Sequence, residues 1–126
     1  MNDIINRDPN EGMPAKDIIH DDDVCTYMRL SSKLTNVATP IFVDDCGSYK
    51  MFHHPIYVLF QNGDEFIPIN IEEEPSRLVS TDFCLQIGEE VLADVFRFVA
   101  NNRETIILLA QEKITQVEFS HKIILP

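Results

Sequence analysis

The sequence predicts an α+β domain: a small, mostly antiparallel β-sheet, then a long C-terminal helix and a short terminal helix. Three observations carry this. Residues 56–71, IYVLFQ-NG-DEFIPINI, are two β-rich runs joined by Asn-Gly, the preferred dipeptide of a two-residue hairpin. From Glu89 onward the apolar residues change to helical spacing. Thr115-Gln116-Val117-Glu118 then has the pattern of a capping box. Strands first and helices last is the order of a chain whose helices pack on one sheet face.

Taken in order, residues 1–24 read as an acidic irregular arm. Residues 1–23 hold seven acids and two bases, with Pro9, Gly12, Pro14 and the run Asp21-Asp22-Asp23. Their apolar residues come as the pairs Ile4-Ile5 and Ile18-Ile19, which fit neither a strand nor a helix stripe and suit docking onto something else. Residues 25–126 are expected to form a single domain. Within it, Val37 to Val43 reads as a strand, Asp44 to Ser48 as a turn, and Tyr49 to Phe52 as a short return strand.

The hairpin follows. With Asn62-Gly63 as the turn, Phe60 faces Glu65, Val58 faces Ile67 and Ile56 faces Ile69. Alternation then gathers Ile56, Val58, Phe60, Ile67, Ile69 and Ile71 on one face, the expected core side. The other face carries Tyr57, Leu59, Phe66 and Pro68 beside Gln61 and Asn70, so something should cover part of it. A second layer, the N-terminal arm or another subunit would do so. Pro68 has no amide hydrogen, which marks one side of its strand as an edge.

Phe83, Leu85 and Ile87 alternate like one more short strand. The helix predicted from Glu89 to 111 places Val91, Leu92, Val95, Phe96, Val99, Ile106, Leu109 and Ala110 on its apolar side. Asn102 falls where that stripe should continue, the position of a kink or of a new cap. Beyond Thr115, Phe119 and Ile123 share one side of the terminal helix.

Composition narrows the function. The 126 residues carry 10 Lys+Arg against 21 Asp+Glu, a formal charge of −11. Nucleic-acid backbones and anionic membranes reward positive charge, so neither is the expected partner. Apolar residues make up 44% of the chain, too many for wholesale disorder. The N-terminal residues contain no apolar run of signal-peptide type, no 18-residue apolar stretch occurs, and Cys25, Cys46 and Cys84 form no C-x-x-C pair. A cytoplasmic protein with reduced thiols is expected.

Catalytic chemistry finds little support. His53, His54 and Asp45 are the first candidates for a hydrolytic or metal-dependent site. Adjacent histidines in an extended segment point to opposite faces and do not share one ion. Asp44 and Asp45 beside Cys46 disfavour a thiolate there. The four glycines never fall two to a loop, so no phosphate cradle can be built. No metal site and no cofactor is expected.

The leading expectation is a small acidic, non-catalytic binding or regulatory protein. It would act through protein–protein contact or self-association, using Tyr57, Leu59, Phe66 and Pro68. One alternative is a small enzyme built on His53 and His54; another is an acidic inhibitor that masks a basic partner by charge complementarity.

Overall fold

Each β-rich run pairs with the next one along the chain, as short connections favour. In the computed structural model, which describes residues 27–125, the result is a five-stranded antiparallel meander in sequential order. Its strands are β1 (Tyr27–Leu30), β2 (Ile41–Asp44), β3 (Tyr57–Asn62), β4 (Glu65–Asn70) and β5 (Arg77–Leu78). One-turn helices α1 (Ser32–Thr35) and α2 (Ser48–Met51) fill the first two connections. The helices α3 (Glu89–Ala110) and α4 (Gln116–Lys122) follow the sheet. The fold class is therefore the expected α+β. The arm expected over 1–24 and the boundary at 25 lie outside the described residues.

The central hairpin turns one residue later than its Asn-Gly suggests. Gly63-Asp64 forms the loop, and Asn62 pairs with Glu65, Phe60 with Ile67 and Val58 with Ile69. Gly63 takes φ +63°, the positive angle a type II′ turn requires at its first central residue. The Asn62 side chain explains the shift. It is fully buried, donating from Nδ2 to the Cys84 carbonyl at 2.9 Å and accepting the Gln86 N–H at Oδ1, 2.5 Å away. A buried amide with both ends satisfied outweighs a local turn preference.

Partners move by two residues relative to the expected register, so every side chain keeps its face. Ile56, Val58, Phe60, Ile67, Ile69 and Ile71 are all buried in one cluster with Val95, Phe98, Val99, Ile106 and Leu109 of α3 and Phe119 of α4. At roughly 1.5–3 kcal/mol for each large apolar side chain, this inner layer is the main source of stability.

Three local expectations are corrected. Tyr49 to Phe52 is not a return strand: Ser48–Met51 is the helical turn α2. Its cause is Asp44, whose Oδ1 accepts the N–H of Cys46 at 3.1 Å and of Ser48 at 2.9 Å, while Oδ2 accepts that of Tyr49 at 2.9 Å. The strand expected over 37–43 begins only at Ile41. Residues 83–87 form no strand; Asn62 ties them across the hairpin end, and the fifth strand is Arg77–Leu78, paired with Asn70 and Ile69.

The long helix runs unbroken for 22 residues. Asn102 neither kinks nor caps it. Its side chain is 1% exposed, donates to the carbonyls of Phe98 at 2.9 Å and Ile124 at 2.8 Å, and accepts the Ile124 N–H at 2.7 Å. A polar group inside an apolar stripe is tolerated because all its valences are met. The capping box is present as read: Thr115 accepts the Glu118 N–H and the Glu118 carboxylate accepts that of Thr115. Pro68 does not mark an open edge: β4 lies between β3 and β5, and the Pro68 carbonyl accepts the Val79 N–H at 3.2 Å just beyond the last β4–β5 pair.

Candidate functional site

The outer face of the sheet, opposite α3 and α4, is built by alternation. Residues of odd number on β3 and of even number on β2 and β4 point away from the inner layer. Register then lines up two rows: Tyr27, Asp44, Tyr57 and Asn70, and beside it Arg29, Phe42, Leu59 and Pro68. Tyr27, Phe42, Tyr57 and Leu59 form a second apolar cluster, with Phe66 and Val79 packed against it.

Aromatic rings organise this face. Phe42 of β2 and Phe66 of β4 meet edge to face, centroids 5.2 Å apart, so they reach each other across β3. The His54 imidazole lies flat on the Tyr57 ring, with centroids 4.4 Å apart and parallel planes. His54 Nδ1 lies 2.6 Å from the Pro55 carbonyl, which assigns the proton to Nδ1. Its Nε2 is buried and has no hydrogen-bond partner among the described residues. At the β2 end of the first row, the buried Asp44 carboxylate is engaged by the three N–H groups of the α2 turn.

The four residues singled out from the sequence do lie together, but the face is not open. Tyr57 and Leu59 are 0% exposed and Phe42 is 7% exposed. Pro68 is buried as well, and only Phe66, at the rim, is half-buried.

No family model, curated protein or solved structure matches this chain. Its function has to be argued from its own residues.

The histidine candidates separate in space. His53 stands exposed at the end of α2 with φ +60°, while His54 turns onto Tyr57. Asp45 points elsewhere, accepting a hydrogen bond from the Gln116 side chain of α4. Among the described residues, no group of three His, Cys, Asp or Glu side chains stands close enough to hold a metal ion. No described helix is long and apolar enough to cross a membrane.

Two features were missed in the sequence. Asp44 reads there as one acid of a turn, although an aspartate side chain commonly accepts the backbone N–H groups that follow it. The second is a cleft of about 510 Å³ at the hairpin end, lined by Asn62, Gly63, Asp64, Glu65, Cys84 and Gln86. It brings two carboxylates and no cation together, and nothing local in the sequence joins residues 62–65 to 84–86.

Proposed function

We propose that this chain is a small, acidic, non-catalytic binding protein that acts through protein–protein contact at the outer sheet face. One observation carries the reading: the sheet has a second apolar cluster on the side away from its helices, centred on Tyr57 and Leu59. A sheet that serves only as the floor of one core alternates apolar and polar residues. Here Phe42, Leu59 and Pro68 continue the apolar character across three strands of the opposite face. Tyrosine and phenylalanine are enriched where proteins meet, because a large rigid ring is buried at small entropic cost.

The partner is a protein, a second copy of the chain included, and the rim residue Phe66 reports on it without emptying the core. The tagged full chain and its Phe66→Asp variant are purified from the native source at low and high salt. One stoichiometric protein recovered with the wild type and lost with the variant is the expected result. Equal recovery on both forms would remove the outer face as the contact.

A second reading, the acidic mask for a basic partner, draws on the cleft at the hairpin end, where Asp64 and Glu65 suit a lysine or arginine side chain. Carboxylates elsewhere are also in excess. Among the described residues the ion pairs are the local Arg77–Glu73 and Arg97–Asp94. This reading expects a complex that weakens steeply with salt and that Asp64→Asn/Glu65→Gln disrupts. A complex indifferent to both changes would overturn it.

A further inference from the structure

We infer that the pocket between α3 and the β4–β5 connection binds a free α-amino acid with an aromatic side chain, its carboxylate on Arg103 and its ammonium on Glu74. The site draws on no residue of the outer sheet face, so it stands or falls apart from the proposed function.

The pocket measures about 380 Å³ and is lined by Phe96, Ala100 and Arg103 of α3 and by Glu74, Pro75 and Ser76. Intervals of four and three put the helix residues on one stripe. The volume sits at the small end of ligand pockets, which run from about 300 to 1,000 Å³. The Phe96 ring, the Pro75 ring and the Ala100 methyl give it an apolar wall. One cation, one anion and the Ser76 hydroxyl stand beside that wall.

The two charges point to the ligand. Arg103 reaches from α3 to the end of β4, where Nε donates to the Ile71 carbonyl at 2.8 Å and Nη2 to the Glu72 carbonyl at 3.1 Å. These bonds orient the guanidinium without neutralising it, and the rest of its N–H donors stay unused. In a chain of formal charge −11, a half-buried arginine beside Glu72, Glu73 and Glu74 is expected to hold a carboxylate. Among the described residues it holds none. The glutamates divide in a matching way. The Glu72 carboxylate accepts the Ile56 N–H at 2.8 Å, and Glu73 pairs with Arg77 at 3.4 Å and accepts a hydrogen bond from Asn70. Glu74 has neither a hydrogen bond nor an ion pair among the described residues.

A simple anion in this pocket is repelled by Glu74, and a simple cation by Arg103. A molecule that carries both charges satisfies the two groups together. The planar fork of Arg103 takes a carboxylate, Glu74 takes an ammonium, and an aromatic ring lies against Phe96 and Pro75. A free aromatic α-amino acid has these three parts and the size of the pocket.

Backbone amide shifts of the full chain, titrated with L-phenylalanine, test this. Saturable shifts are expected at Glu74, Ser76, Phe96, Ala100 and Arg103. N-acetyl-L-phenylalanine, which lacks the ammonium, and L-phenylalanine amide, which lacks the carboxylate, should each bind at least tenfold more weakly. Glu74→Gln, at an exposed position with no contact to lose, should weaken L-phenylalanine at least tenfold without weakening the acetylated form. Ala100→Leu, at an exposed helix position, should abolish the shifts while circular dichroism stays folded. Absent saturation, shifts centred elsewhere, or either analogue binding as well as L-phenylalanine overturns the inference. So does wild-type binding by either folded variant.

Discussion

The two faces of this sheet bury their side chains by different means. The inner face is mostly aliphatic: isoleucines and valines on β2, β3 and β4, with Phe60 among them, pack against a 22-residue helix. The outer face is aromatic and carries polar groups, with Tyr27, Phe42, Tyr57 and Phe66 beside His54, Asp44 and Asn70. Stiff aliphatics interlock into one well-packed arrangement and suit a permanent core. Flat rings with polar ends tolerate a surface that changes its cover, since a tyrosine hydroxyl is at ease in water as well as against protein. The difference makes the inner face the core of the fold and supports the proposal that the outer face is a contact surface.

The largest effect expected comes from setting the faces against each other. Ile69→Ala on the inner side should cost about 3–4 kcal/mol in urea unfolding, because α3 holds the cavity open. Leu59→Ala on the outer side should cost about 2–3 kcal/mol, since no described helix packs into this cluster to hold a cavity open. A Leu59 loss equal to or above that at Ile69 would break the distinction.

Asn102→Ala comes next, at about 2 kcal/mol, because it leaves the Ile124 N–H and carbonyl without their partner. Hydrogen exchange at the Ile124 amide should accelerate well beyond that of neighbouring α3 amides. Equal protection in variant and wild type would show that the helix holds this segment without the clamp.

On the outer side, Asp44→Asn should cost about 1–2 kcal/mol, since an amide accepts at one end only and cannot serve all three N–H groups of the α2 turn. Backbone shifts should move over 46–49 and stay fixed along α3. The smallest effect is Thr115→Ala, about 1 kcal/mol, which removes the cap of α4. Its expected signature is fraying confined to 115–119, with the outer face unchanged.

How far the sequence reaches is clearest in the hairpin. Alternation over 56–71 identifies all six inner side chains, since the faces follow from a period of two whatever the register. The turn was misplaced because the Asn62 amide bonds to residues 84 and 86, which no local pattern connects to it. Asn102 carries the same lesson. Read alone it interrupts an apolar stripe, and only Ile124, 22 residues on, explains it. Asp44 draws the chain into a helical turn where the run after the turn reads as a return strand. At the candidate site, Tyr57, Leu59, Phe66 and Pro68 were found as one face, but not their burial, because exposure depends on what lies above a face. The separation of Asp45 from His54 likewise depends on α4 returning to the end of β2.

The sequence by itself determined the class of fold, the side of the hairpin that faces the core, the extent of the long helix and the cap of the last one. Each of these follows from interactions between residues a few positions apart, or from a periodicity that survives any change of register. Tertiary structure alone decided which polar groups are buried, where the hairpin turns and that the second apolar face is closed to water. Those outcomes require distant segments to meet, and a buried amide or an apolar ring takes its meaning from the partner the fold brings to it.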